Sequence, residues 1–421
     1  MFFNADMKPV FNIQIEKLTY GGDAMGRLPD GRAVFIPFGL PNERVRVRLT
    51  EEKRGFARGE LIKILEPSKD RINPKCKHFG ACGGCHYQNL PYEKQLEAKT
   101  EILRDQLTRI GKIENPPVRL MVPCPNTWNY RNHVQFHLTE GGKLGFVDLT
   151  PSPNKRRGEH VMPISECYLP EPSINTLWPL LEFEPNTNIE RVSLRSGKDE
   201  DIMLVLESDS PETPELEIEA GISVAHVYEG DTAIIVGDDH SIIRILDRDF
   251  RVSAASFFQV NTVMAEKMVE HILAKLPISQ STELLDVYCG AGLFSAFLAP
   301  KCKCLIGIES SPFACEDFAV NLDGFDNVEL YEGTAEDVIP HLEAKPDIVL
   351  LDPPRAGVER HTLDGILRLE PHVVAYVSCD PSTLARDAKR LVEAGYQLIQ
   401  VTPFDLFPQT YHIESISFFE R

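Results

Sequence analysis

Residues 284–309, LLDVYCGAGLFSAFLAPKCKCLIGIE, decide the fold of the C-terminal part of this 421-residue chain. Leu284 to Val287 reads as a buried strand, Tyr288 to Gly292 as a glycine-rich turn, and the next apolar residues as a helix to about Leu298. Cys304 to Glu309 is a second strand. Strand, crossover helix and strand make the unit of a doubly wound parallel sheet. Such sheets bind ligands beyond the carboxyl ends of their strands. Gly290 and Gly292 let the backbone approach a ligand closely. Asp286 ends its strand where a cationic ligand group would sit, and Glu309 where a ribose diol would. The turn lacks the third glycine of G-x-G-x-x-G, and no Walker-type Gly-Lys-Ser/Thr occurs. A pocket for S-adenosylmethionine (SAM), which needs no pyrophosphate cradle, fits better.

From about residue 251 strands and helices alternate. Apolar spacing predicts a helix over 262–276, with Met264, Met268, Ile272 and Leu276 on one face. DIVLLD, 347–352, runs into Pro353-Pro354-Arg355, a stiff turn able to hold Asp352 and Arg355 toward a flat substrate. An ordinary strand-ending turn accounts for it equally well. The run Val373 to Val377 delivers Ser378, Cys379, Asp380 and Pro381 to a strand end, with Ser382 expected as the N-cap of a helix. Cys379 is thereby a candidate nucleophile for a nucleobase, although a buried structural thiol is the commoner fate of a single cysteine. ESISFFER, 414–421, is the last strand.

Toward the N-terminus, 11–66 contains four short alternating runs split by Gly and Pro turns, the pattern of a small barrel. In ERVRVRLT, Val45, Val47 and Leu49 face a core and Arg44, Arg46 and Arg48 the other side. That stripe suits an RNA backbone; a solvated strand face is as good an account. Next, Cys76-x5-Cys82-x2-Cys85 places three thiolates within reach of one metal or iron–sulfur cluster. Cys124 and Cys167 are the candidates for a fourth ligand, and a four-thiolate zinc site competes. Residues 92–111 read as a helix with Leu96, Leu103 and Leu107 as its stripe and Gly111 as its stop. Short strands and loops follow, including NYRNHVQFHL (129–138), the Arg-rich turn PNKRRGEH (153–160) and an acidic segment over 197–219.

Composition is that of an ordinary water-soluble protein, with 43% apolar and 25% charged residues. No apolar run reaches membrane-spanning length. The first residues lack a signal-peptide pattern, which places the expected location in the cytoplasm. Ten cysteines are then expected reduced unless a metal or catalysis uses them. The net charge of −19 argues against a surface coated in phosphate-binding groups. The balance is uneven: residues 1–80 carry 15 Lys and Arg against 10 Asp and Glu, and the rest 29 against 53. Nucleic-acid contact confined to one basic region is compatible with this.

SFFQVN (256–261), LLDVYCGAG, DPPRAG (352–357), VSCDPSTLARD (377–387) and HIES (412–415) resemble, in order and spacing, the RNA uracil-C5 methyltransferases. With CKHFGACGGC (76–85) and the strand-rich N-terminus, the chain is most similar to the bacterial 23S ribosomal RNA branch acting at uracil 1939. The resemblance covers essentially the whole chain. It implies an α/β fold with an N-terminal OB-type TRAM barrel (1–66), which binds RNA. It further implies a central, mainly β iron–sulfur domain (67–250), with helix 92–111 docked on the catalytic domain. The third domain is a Rossmann-like SAM-dependent methyltransferase (251–421). Cys379 matches the nucleophile, Glu414 the general base, and Gln259, Tyr288, Glu309 and Asp352 the SAM pocket. Cys76, Cys82, Cys85 and Cys167 match the ligands of a [4Fe–4S] cluster, leaving Cys124 outside. Arg131 falls in a motif near the substrate. Leu293 stands where relatives commonly have Asn. The implied partner is 23S ribosomal RNA, free of protein or early in assembly, with no DNA, no membrane and a monomeric enzyme. Transfer RNA or another 23S uridine is the alternative target, and a non-catalytic RNA-binding iron–sulfur protein the alternative class.

Overall fold

The computed structural model describes residues 9–150, 160–185, 187–214 and 221–421. Most of the Arg-rich turn at 153–160 and residues 215–219 of the acidic segment lie outside the described residues.

Five strands close an N-terminal barrel in the order β1-β2-β3-β5-β4. They are β1 Val10–Leu18, β2 Ala24–Arg27, β3 Ala33–Ile36, β4 Arg44–Glu52 and β5 Phe56–Glu66. Alternation along β4 buries Val45, Val47 and Leu49 and exposes Arg44, Arg46 and Arg48. β2 had no alternating signal in the sequence; Ala24, Met25 and Gly26 are all buried, and a Cβ on Gly26 would meet Ile13 Cγ2 at 2.4 Å.

Helix α1, Tyr92–Arg109, packs against the C-terminal half. Its stop is not a left-handed glycine: the positive φ falls at Lys112. Gly111 is needed because a Cβ there would meet the Leu107 carbonyl oxygen at 2.5 Å and the Ala385 carbonyl oxygen at 3.1 Å. The glycine thus lets two helices approach.

A central seven-stranded sheet has the order β12-β11-β10-β9-β6-β7-β8. Its strands are β6 His133–Leu138, β7 Leu144–Val147, β8 Val161–Pro163, β9 Ile189–Ser196, β10 Ile202–Ser208, β11 Ser223–Tyr228 and β12 Asp231–Val236. Helix α2, Pro172–Leu177, lies on it. A hairpin, β13 His240–Ile245 and β14 Arg248–Ser253, crosses position 250 and packs on α3, Thr262–Lys275, and α5, Pro312–Asn321.

The C-terminal sheet has the order β17-β16-β15-β18-β19-β21-β20. β15 Glu283–Val287, β16 Cys304–Glu309, β17 Val328–Glu332, β18 Ile348–Leu351 and β19 Val373–Ser378 run parallel. β21, Glu414–Glu420, inserts antiparallel between β19 and β20, Gln397–Phe404. Flanking helices are α4 Ser295–Leu298, α5, α6 Ala335–Val338, α7 Arg360–Arg368 and α8 Pro381–Glu393. α4 is one turn long and follows a turn with left-handed residues at Tyr288, Gly290 and Gly292. Strand order reverses between β15 and β18, which opens a crevice at their carboxyl ends. Among the described residues no helix is long and apolar enough to cross a membrane.

Candidate active site

A cavity of about 1430 Å³ occupies that crevice, and Gln259, Tyr288, Glu309, Asp352, Cys379 and Glu414 all line it. The glycine turn forms one wall. There the Gly290 N–H donates to Glu309 Oε2 at 3.0 Å, while Glu309 Oε1 accepts from the Ser310 and Ser311 N–H groups at 2.8 Å each. Glu309 is thus locked by backbone donors at the end of β16. Leu293 lines the same wall with an apolar side chain. Asp286 does not reach the ligand space as the sequence suggested. It is buried behind the turn, where it accepts from Ser295 Oγ at 2.5 Å and ties strand to helix.

Cys379 stands at the end of β19, just past the strand ladder. The N-cap of α8 is Asp380, not Ser382: Asp380 Oδ1 accepts from the Ser382 and Thr383 N–H groups at 2.8 and 3.1 Å, with Pro381 as first helical residue. Proline at that position needs no N–H partner, and the cap moves to the residue before it. The cysteine is therefore followed directly by a cap, which fixes its backbone.

Carboxylates crowd this edge. Burial raises Asp352 to about 7, and the charge of Glu309 adds to the rise. Burial and then Asp352 lift Glu414 well above the carboxylate range, opposed by Arg355 and Lys99. Cys379 is pushed up to about 12 by burial, then by Glu414 and Asp352, with Arg355 opposing. Such a site favours a cation and disfavours a free thiolate until one arrives. Arg355 Nη2 donates to His412 Nδ1 at 2.5 Å. Burial, with Arg355 next, holds His412 down to about 3, so the ring is neutral and can accept. At the mouth, Phe257 is 72% exposed although it belongs to an apolar pair, and it too lines the cavity.

Cys76, Cys82, Cys85 and Cys167 line a second cavity, of about 60 Å³. Cys124 lies elsewhere: its thiol donates to the Asn126 carbonyl at 3.0 Å and accepts from Asn261 Nδ2 at 3.4 Å. Among the described residues no group of three or more His, Cys, Asp or Glu side chains is arranged to hold a metal ion. Four thiols are a donor set of the chemistry that iron–sulfur clusters use, one thiolate to each iron. Arg131 lines both cavities, lies 5.5 Å from the Phe407 ring centroid, and has an Nε without a partner among the described residues.

The barrel's arginine stripe is less free than its spacing suggested. Arg44 pairs with Glu66 at 3.3 Å and Arg48 with Glu60 at 3.8 Å, while Arg46 donates to Asn12 Oδ1 at 3.3 Å. Residues on the neighbouring strands offset the charge across the ladder.

Several participants carried no local signal. Lys99 is fully buried in an ion pair with Asp405. On a helix read by its leucines, a lysine counts as solvated. His412 and Phe257 lay inside motifs, but nothing in the spacing singled them out.

The family model described as tRNA (Uracil-5-)-methyltransferase matches residues 231–421, and that of the TRAM domain matches residues 9–62. An uncharacterized RNA methyltransferase of Halalkalibacterium halodurans is 34% identical, with 98% of this chain and 97% of that one covered. Another, from Caldanaerobacter subterraneus subsp. tengcongensis, is 33% identical, with 98% of each covered. Among solved structures, the tRNA (uracil-54, C5)-methyltransferase of Pyrococcus abyssi, in complex with S-adenosyl-L-homocysteine, shares the fold. Its TM-score is 0.74 at 24% identity, over 97% of this chain and 100% of that one.

Proposed function

Because the chain belongs to the RNA uracil-C5 methyltransferases that carry a TRAM domain, we propose that it methylates C5 of one uridine in 23S ribosomal RNA through a covalent Cys379 adduct. The observation that carries this reading is the convergence of Cys379, Glu414, Asp352 and Glu309 on one cavity.

Uracil C5 is too weak a nucleophile to attack a methyl sulfonium. Addition of the Cys379 sulfur to C6 makes an enolate with electron density at C5. C5 then takes the methyl group, and S-adenosylhomocysteine leaves. Glu414 removes the C5 proton, the C6–S bond breaks, and the thiolate returns. A raised affinity for protons suits Glu414 to that step, since the carboxylate is then a stronger base. SAM's sulfonium and ammonium charges would balance Asp352 and Glu414, with Glu309 on the ribose and Gln259 and Tyr288 along the cofactor. Those same charges would ease ionisation of Cys379. The uridine must leave its stack at a cost of roughly a few kcal/mol, and the exposed Phe257 ring offers it a new surface to stack on.

We also propose that Cys76, Cys82, Cys85 and Cys167 hold a [4Fe–4S] cluster with a structural role: it would knit the 76–85 segment to residue 167 and supply no chemistry to the transfer. A second reading of the target is transfer RNA, favoured by the fold shared with a tRNA (uracil-54, C5)-methyltransferase.

Incubation with methyl-labelled SAM and either RNA, followed by mapping of the modified base, separates the two targets. With 5-fluorouridine RNA the C5 substituent cannot leave as a proton, so a stable protein–RNA adduct is expected. Its persistence in Cys379→Ala would overturn the nucleophile.

A further inference from the structure

We infer that Lys99 and Gln95, two α1 side chains outside the catalytic sheet, are positioning residues for Glu414 that hold the loop delivering this carboxylate. The inference rests on reading Glu414 as the base that takes the C5 proton.

β20 ends at Phe404, which pairs in register with Glu414 at the start of β21, and residues 405–413 close the connection. α1 grips that connection at three points. Lys99 Nζ donates to Asp405 Oδ1 at 2.6 Å and to the Phe407 carbonyl at 3.0 Å. One turn earlier, Gln95 Oε1 accepts from the Gln409 N–H at 3.0 Å, and Gln95 Nε2 donates to Gln409 Oε1 at 3.0 Å. Positions four apart share a helix face, so both grips come from the buried side of α1. Gln409 holds a φ of 69°, where a glutamine pays for its Cβ. Its amide is retained there for the reciprocal contact with Gln95.

Lys99 and Asp405 are both wholly buried. Desolvating such a pair is costly, and well-packed apolar residues often replace one without loss of stability. Docking α1 alone would not call for it. A positive charge on Lys99 also opposes the rise that burial and Asp352 impose on Glu414. A base acts only within hydrogen-bond reach of its proton, and a displacement of about 1 Å can cost on the order of a hundredfold. Of the chemical steps, proton removal depends on that aim and methyl transfer to C5 does not.

The test is a single turnover with RNA tritiated at uridine C5 and methyl-labelled SAM. Lys99→Met should keep methyl incorporation within about threefold of the parent, while tritium release slows about tenfold or more. An adduct resistant to denaturant should then build up on ordinary uridine. Glu414→Gln, run beside it, should give the same pattern more strongly. If Glu414→Gln builds no adduct, the base reading itself falls. If Glu414→Gln builds it while Lys99→Met loses methyl transfer and tritium release equally, the positioning role falls. Should Lys99→Met fail to fold, Gln95→Leu and the neutral pair Lys99→Met/Asp405→Asn carry the same expectation and are judged the same way.

Discussion

Tyr20, in the turn after β1 of the barrel, donates its hydroxyl to Asp380 Oδ2 at 2.7 Å, across 360 residues of chain. The same Asp380 caps α8 with its other oxygen and follows Cys379 directly. Tyr20 also meets Tyr411 edge to face at 5.9 Å, and Tyr411 lies 4.4 Å from His412. The barrel, matched by the TRAM domain model, is thereby tied to the residue after Cys379 and to the segment that carries His412.

Tyr20→Phe removes one hydrogen bond and leaves the ring. The expected stability loss is small, about 1 kcal/mol, and RNA affinity should be unchanged. Adduct formation on 5-fluorouridine RNA should slow about tenfold, because a loosened Asp380 loosens Cys379. A rate equal to the parent's, measured by gel shift under saturating RNA, would show that the contact only docks the barrel.

Asp352 predicts how cofactor binding depends on pH. Burial and Glu309 hold its pKa near 7, so in the free enzyme it gains a proton as pH falls through 7. A cationic cofactor favours the ionised form and must expel that proton, so SAM affinity should fall as pH drops from 8 to 6, by up to about tenfold per unit. Titration calorimetry in two buffers of different ionisation enthalpy reads both the affinity and the released proton. Asp352→Asn should bind weakly and with little dependence on pH over this range.

The C-terminal sheet was readable because its strands are short apolar runs ended by chemistry-bearing residues. CLIGIE, DIVLLD and Val373 to Val377 bring Glu309, Asp352 and Cys379 to the same edge, and periodicity alone finds these strands and LLDV. The direction of the last strand was not readable: Glu414 to Phe419 are all buried, which fits parallel and antiparallel insertion alike. The cap of α8 was misplaced because Asp, Ser and Thr around Pro381 are all competent caps, and the proline's missing N–H decided the register. Lys99 escaped for another reason. Its partner lies 306 residues away, and a contact of that range leaves no trace in local spacing.

Asp286 bears on stability. Burial raises its folded-state pKa to about 7 from an ordinary 3.8. Between these values the folded chain holds a proton that the unfolded chain has released, so this group's contribution to stability falls as pH rises across the window. Asp286→Asn keeps an acceptor for Ser295 and removes the buried charge. Its melting temperature should exceed the parent's at pH 8 and match it near pH 4. A lower value at pH 8 would mean that the charge serves the fold, for instance by meeting the dipole at the start of α4.

Cys85 and Cys124 separate the readings of the thiol cavity. Cys85 lines it beside Cys76, Cys82 and Cys167, whereas Cys124 is engaged with Asn126 and Asn261. If the four surround a cluster, protein purified without oxygen should carry iron and acid-labile sulfide in near-equal amounts. Cys85→Ser should lose both, and Cys124→Ser should keep both. Zinc in place of iron, or iron retained in Cys85→Ser, would overturn the ligand set. Because Arg131 lines this cavity and the catalytic one together, the Cys85→Ser protein should also lose methyl transfer. Its SAM affinity should stay near the parent's, since Glu309 and Asp352 are held by the C-terminal sheet and not by the 76–85 segment.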